Sequence, residues 1–152
     1  MIRPGVVADV AAVVTMLRHS RQAAGFDRRD SVTGFNFPFD PAYAERLLLV
    51  HLMPRHVCLV LDIDGTAQGV LMATYAEHPF GPVRLARETV WWIEPEYRGR
   101  AAVEMLDAYE NWACANHCQF IGMAGMGDDP DVGKLYKRRG YRIAETHFLK
   151  AV

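Results

Sequence analysis

Apolar positions along the chain change period several times, and each change marks an element. Ile2-Arg3-Pro4 reads as a short strand start. Asp9 reads as an N-cap, and Val10, Val13, Val14 and Leu17 follow at helical spacing. Asp40-Pro41 is an N-cap followed by an N1 proline, so a second helix is expected to run to about Leu52, ahead of Pro54. His56–Ile63 is a strand, Asp64-Gly65 a type I′ hairpin signal, and Thr66–Ala76 the returning strand with a bulge at Gly69. A loop holding Pro79, Gly81 and Pro82 leads to the strand Glu88–Glu94. That strand is bulky on both faces, with Trp91 and Trp92 one to each side, so it is expected to be central and covered twice.

A helix is expected from about Arg100 to Asn116, burying Ala102, Met105, Leu106, Tyr109 and Ala113. Cys118–Gly125 reads as a strand, about Pro130–Arg138 as a short helix closed by Gly140, and Tyr141–Lys150 as a last strand. The order β-α-α-β-β-β-α-β-α-β makes an α/β fold of the α+β kind. Its sheet is mixed and mostly antiparallel, with helices on both faces. Glu88–Glu94 and Cys118–Gly125 are its parallel pair, because a helix crossover joins them.

Length and composition narrow this little. The 152 residues make one domain, 1–152; 51% are hydrophobic and 23% charged, and the net charge of −1 gives no reason to expect nucleic acid as a partner. The apolar start is interrupted by Asp9 and is expected to be structure, not a leader. No run approaches the roughly 20 apolar residues of a membrane span, so no membrane partner is expected. The odd set Cys58, Cys114 and Cys118, beside seven methionines, points to a reducing, cytoplasmic setting.

The chemistry concentrates between Val90 and Ala113. Arg98, Gly99, Arg100, Ala101 and Ala102 lie where strand becomes helix. The first N–H groups of a helix lack internal partners and carry the positive end of its dipole. Gly99 and the alanines allow close approach, and the two arginines add charge, so the turn suits a diphosphate. From the turn alone, an ordinary strand–helix connection with solvated arginines is equally compatible.

Pro95, Tyr97, Arg98 and Gly99, followed by the helix through Trp112-Ala113, resemble the acetyl-CoA-binding motif of the GNAT acetyltransferase superfamily: strand, Pro-x-x-Arg/Gln-x-x-Gly-x-Gly/Ala, helix. Ala101 and Val103 stand at later glycine positions, and the turn is one residue shorter when Met105-Leu106 is matched to the family's Leu-Leu. Residues 128–142 resemble the family's later helix, Asn-x-x-Ala-x-x-Leu-Tyr-x-x-x-Gly-Phe. Asp129 stands at the asparagine, Val132 at the alanine, Tyr141 at the phenylalanine, and Leu135, Tyr136 and Gly140 match.

The resemblance implies transfer of an acetyl group from acetyl-CoA, as co-substrate, to a primary amine by direct attack. It implies cofactor contacts at Trp92, Ile93, Arg98, Gly99, Arg100, Ala101, Ala102, Asp129 and Tyr136, the first two along the free edge of a splayed central strand. It sets Tyr136 as the general acid. A base is needed besides, with Glu88 the first candidate, Glu77, His78 or a water chain the others. The family usually closes with two hairpin strands; here one is expected, either in a shorter sheet or completed by the partner of a homodimer. The acceptor is a small-molecule or peptide amine, its wall the loop of Phe26, Phe35, Phe37 and Phe39.

Competing readings are weaker. A non-catalytic protein that binds CoA or a protein partner is the alternative suggested by the altered turn. A dinucleotide fold would want a glycine-rich turn after the first strand, which Met1–Gly5 does not offer. Cys114, His117 and Cys118 fall short of four zinc ligands, and no metal is expected. Asp128, Asp129 and Asp131 suit helix capping, and Lys137, Arg138 and Arg139 a solvated helix end or a ribose phosphate.

Overall fold

The computed structural model describes residues 1–30, 34–125 and 130–152. The chain forms two compact units: Met1–Ser20 with Phe39–Gly122, and Arg21–Pro38 with Met123–Val152. The first holds a five-stranded sheet in chain order, β1 (Ile2–Pro4), β2 (His56–Ile63), β3 (Thr66–His78), β4 (Gly81–Ile93) and β5 (Phe120–Gly122). All neighbours are antiparallel except β4 and β5, which run parallel.

Helices α1 (Val10–Ala23) and α2 (Pro41–His51) share a core with one sheet face. Val13, Met16 and Leu48 pack there with Cys58, Val60, Val70 and Met72, and Val90 and Trp92 join them. Alternation along the strands sends Leu59, Leu61, Leu71, Ala73 and Ala86 to the other face. Helix α3 (Arg100–Ala115) covers that face with buried Met105, Leu106, Tyr109 and Ala113. The two tryptophans divide as expected: Trp91 Nε1 meets Met105 Sδ at 3.2 Å on the α3 side, and Trp92 lies with the α1/α2 core.

Local chemistry explains the elements. Asp40 caps α2 by accepting from the N–H groups of Ala42 and Tyr43 at 2.9 and 3.1 Å. Asp64 and Gly65, at φ 51° and 81°, make the β2–β3 hairpin. The extra residue in β3 is Gln68, beside Gly69, where Leu61 pairs with Gly69 and Asp62 with Ala67. Asp9 does not act as a simple N-cap. Its carboxylate takes two bonds of 2.8 Å from the Arg3 guanidinium and one of 2.9 Å from the Val6 N–H, inside a one-turn 3₁₀ helix, Val7–Asp9. Arg3 also reaches Asp62 at 2.7 Å, so one guanidinium ties β1, the entry to α1 and β2 together. It holds both carboxyls below the ordinary value, and the Arg3 guanidinium is raised in return.

Two sequence expectations need correction. The loop around Pro79, Gly81 and Pro82 is a tight turn, and β4 starts at Gly81, seven residues before Glu88. Pairing with β3 extends the strand where its own residues lack the apolar signal; Arg84 pairs with Glu77 and Arg87 with Thr74. Tyr141–Lys150 is not a strand. A strand exists only by pairing, and among the described residues nothing pairs with this segment. Its apolar side chains stand in solvent, Ile143 82% and Phe148 91% exposed.

The second unit holds α4 (Pro130–Arg138) and the phenylalanine loop. The loop is closed by an Asp27–Asn36 bridge, a Phe37 N–H to Phe26 carbonyl bond of 3.0 Å, and edge-on Phe26 and Phe37 rings 5.0 Å apart. Arg21 caps it by donating to the Phe37 carbonyl and to Asn36 Oδ1. Among the described residues, no helix is long and apolar enough to cross a membrane.

Candidate active site

The site begins where β4 loses its parallel neighbour. Leu85, Ala86 and Arg87 pair with Phe120, Ile121 and Gly122, and pairing stops there. The β5-facing edge of Glu88–Ile93 therefore has no strand on it among the described residues. Tyr109 holds this geometry from the α3 side: fully buried, it donates its hydroxyl to the Gly122 carbonyl at 3.1 Å, anchoring the end of β5.

Register shows which groups face the open edge. The Glu94 N–H donates to the Gln68 carbonyl at 2.9 Å, so Glu94, and by alternation Trp92 and Val90, turn their backbone toward β3. Trp91 and Ile93 turn theirs away from β3. The Ile93 carbonyl shows this directly, since Arg98 Nε donates to it from outside the sheet at 2.9 Å. Of the two residues expected from sequence to contact a cofactor along this edge, Ile93 turns its backbone outward and Trp92 turns its backbone to β3, while the Trp91 backbone also turns outward. Counting alternation back from the hairpin could have found this only with both bulges known.

Next comes the turn. Pro95–Tyr97 forms one 3₁₀ turn, Arg98 is extended, and Gly99 adopts φ 86°, ψ −114° as the N-cap of α3. That conformation suits glycine, and a Cβ on Gly99 would find no atom within 4 Å, so the approach to the helix start is open. The Ala102 N–H already donates to the Gly99 carbonyl at 3.1 Å, leaving Gly99, Arg100 and Ala101 to offer the cradle. The arginines do not both wait for an anion. Arg98 lies over the Trp92 ring, 4.7 Å from its centroid, and braces the turn through Ile93. Arg100, its side chain 92% exposed, pairs with Glu104 at 2.7 Å, a surface pair that an anion can readily displace. A diphosphate fits these residues.

At the head of the open edge β4 bulges. Met72 pairs with Val90 and Ala73 with Glu88, so Thr89 is the extra residue. Glu88 shares the α3 face with Ala73. Thr89 faces α2, where its hydroxyl lies 2.9 Å from Nε2 of the buried His51. His51 Nδ1 lies 2.7 Å from the Leu47 carbonyl, which can only accept, so Nδ1 carries the hydrogen. Burial holds the ring below its ordinary pKa of 6.5 and keeps it neutral, so Thr89 donates to Nε2. Sequence reading missed this pair, because a lone histidine at a helix end carries no signal until its partner is known.

A cleft of about 250 Å³ on the sheet just before the bulge is lined by Thr74, Ala76, Glu77, His78, Leu85 and Arg87, which brings two of the alternative base candidates together. A larger cleft of about 500 Å³ lies between α1 and the end of β4, where His19 Nδ1 meets Glu94 Oε1 at 2.8 Å. It holds neither the open edge nor the cradle.

Tyr136 sits in the second unit. Its helix closes with paired bonds from the Gly140 N–H to the Lys137 carbonyl and from the Tyr141 N–H to the Tyr136 carbonyl, both 3.1 Å, with Gly140 at φ 89°. The Tyr141 ring packs 5.7 Å from that of Tyr136, and the Tyr136 hydroxyl donates to the Ala124 carbonyl at 3.0 Å. The Gly-Tyr at the end of KLYKRRGY therefore fixes the direction of the phenol. Asp129, and Asp128 beside it, lie outside the described residues.

A strand that loses its neighbour, then a glycine turn into a helix start, fits the class of acetyltransferases that the family match defines. The model of the acetyltransferase (GNAT) family matches residues 22–141, and the chain belongs to that family. Solved structures agree in fold. A ribosomal-protein-alanine N-acetyltransferase from Brucella melitensis biovar Abortus 2308 is 18% identical, with 100% of this chain and 99% of that one covered and a TM-score of 0.72. A predicted acetyltransferase from Clostridium acetobutylicum, solved with acetyl-CoA, is 16% identical over 99% and 95%, with a TM-score of 0.76. An aminoglycoside acetyltransferase from an uncultured soil metagenomic sample is 20% identical over 100% and 97%, with a TM-score of 0.70. No curated protein matches in sequence.

Proposed function

We propose that the protein is an N-acetyltransferase that uses acetyl-CoA as co-substrate and acetylates a primary amine by direct attack. One observation carries this: beyond its last β5 pair the far edge of β4 has no strand on it among the described residues, and it leads through Ile93 into the Gly99 turn at the start of α3. Acetyl-CoA supplies an activated acyl group on a good leaving thiolate. The chain's own residues bind and orient. Gly99, Arg100 and Ala101 present N–H groups to the diphosphate, with Arg100 released from Glu104. Trp91 and Ile93 hold the pantetheine arm and direct the thioester toward the bulge.

Tyr136 protonates the leaving thiolate, for which a phenol is acidic enough. Its hydroxyl must first leave the Ala124 carbonyl. Glu88, at the head of the edge on the α3 face, is the carboxylate candidate for the amine proton, and Asp129 is a cofactor contact by its motif match alone. Phe26, Phe35 and Phe37 are proposed for the acceptor wall. The free cysteines suit a cytoplasmic setting, and the exposed Ile143 and Phe148 suit a homodimer.

The engaged Tyr136 hydroxyl and Ala102 N–H also favour a second reading, a protein that binds CoA without turnover. Calorimetry with acetyl-CoA, then release of free thiol with an alanyl peptide, a lysyl peptide, spermidine and an aminoglycoside, separates the two. Amine-dependent thiol release supports the enzyme. Binding without release supports the second reading, and absence of binding removes both.

A further inference from the structure

The histidine–threonine pair at the bulge has no place in the proposed chemistry so far. Three observations bear on what it does. Thr89 is the extra residue of the β4 bulge and is exposed, past Glu88 and the last β4–β5 pair at Arg87. Its hydroxyl donates to an imidazole nitrogen, which leaves the Thr89 oxygen lone pairs toward the open side. The imidazole is only 4% exposed and is fixed at both nitrogens, so its tautomer has no freedom. A structural threonine at a bulge would need none of this. Thr89 also stands on the α2 face, continuing the row of Leu85 and Arg87 that lines the smaller cleft.

We propose that Thr89 and His51 form the proton path for the acceptor amine, with Thr89 as the catalytic group that touches the nitrogen and His51 as the positioning residue behind it. The inference rests on the N-acetyltransferase reading. The amine nitrogen bonds to the acyl carbon as the carbon–sulfur bond breaks. One amine proton passes to Thr89 Oγ1 while the Thr89 proton passes to His51 Nε2. Tyr136 gives its proton to the departing thiolate. Solvent then takes the extra proton from His51 back through Thr89 and reprotonates Tyr136, so charge and atoms balance. Burial disfavours the charged ring of His51, so in a relay it passes the proton on instead of storing it. His56, whose ring lies edge-on at 5.2 Å, disfavours charge on it further. The path runs along the α2 face, whereas Glu88 stands on the α3 face, so the two base candidates are separable by mutation.

The test uses Thr89→Val, Thr89→Ser, His51→Gln and Glu88→Gln in the full chain. Turnover is read with whichever panel amine the wild type acetylates fastest. The wild type is assayed first; absence of turnover there overturns the N-acetyltransferase reading itself. Given turnover, Thr89→Val and His51→Gln should each lower kcat about 100-fold, the lower end of what a positioned acid–base group contributes. Their acetyl-CoA Kd should stay within about twofold, and Thr89→Ser should keep most of the rate. Histidine nitrogen NMR of the free protein gives a readout that needs no turnover. His51 should be hydrogen-bearing at Nδ1, with an Nε2 resonance that shifts in Thr89→Val and returns in Thr89→Ser. Wild-type kcat in folded Thr89→Val, a loss confined to Glu88→Gln, or an Nε2-protonated His51 would each overturn the relay.

Discussion

Replacing Gly99 by alanine isolates the turn on which the proposed cofactor binding depends. At φ 86°, ψ −114° an L-residue is strained whatever its surroundings, and the added Cβ meets no atom within 4 Å. The cost is therefore backbone strain alone, about 1–3 kcal/mol. It can emerge in two places. If the turn keeps its shape, the folded state loses that energy, and a chain of this size should melt about 2–12 °C lower. If the turn relaxes toward negative φ, the N–H groups leave the diphosphate and the acetyl-CoA Kd rises about 5- to 150-fold. Differential scanning calorimetry and titration calorimetry on the same preparation read both, and together the losses should reach 1–3 kcal/mol. Gly133→Ala is the control. It lies inside α4 with open space around it and no positive φ, and should stabilise by up to about 1 kcal/mol without moving Kd. A Gly99→Ala protein matching the wild type in both melting and Kd would refute the turn argument.

Tyr136→Phe should lower kcat by about 100-fold or more while leaving the acetyl-CoA Kd nearly unchanged, checked by thiol release and calorimetry. Arg3→Ala removes two charge-assisted bonds from the Asp9 carboxylate, only 6% exposed, and should cost roughly 2–3 kcal/mol in chemical denaturation. Because Asp9 and Asp62 are held below the ordinary 3.8, their stabilisation is complete above that pH and is lost as pH falls through the folded values. Arg3→Ala should flatten that acid limb. His51 is likewise held below 6.5, by burial first, so the unfolded chain binds more protons as pH drops under 6.5. Stability should fall over that window in the wild type and fall less in His51→Gln, measured by urea midpoints.

Residues with strong local rules were legible from sequence. Asp40-Pro41, Asp64-Gly65 and the apolar stripe of α3 each specify geometry within a few residues, and all three hold in the structure. Gly140 read correctly as a left-handed helix cap, because positive φ there favours glycine strongly. What depends on partners did not read out. The first half of β4 is a strand because β3 pairs with it, and residues 141–150 are not one because nothing among the described residues does. The site shows the same division. The strand-to-helix turn was visible in Arg98-Gly99, but the engaged Ala102 N–H, the stacking of Arg98 on Trp92 and the outward turn of the Trp91 backbone follow from register and turn geometry. The His51–Thr89 pair joins residues 38 apart and has no local signature.

The β4 edge beyond β5 and the Gly99 turn are proposed to bind acetyl-CoA together. A crystal structure of the complex tests this most directly. The diphosphate should lie against the N–H groups of Gly99, Arg100 and Ala101, the pantetheine arm along Trp91 and Ile93, and the thioester beside the Thr89 bulge. Acetyl-CoA bound elsewhere, such as the cleft between α1 and Glu94, or no complex at saturating concentration, would contradict it.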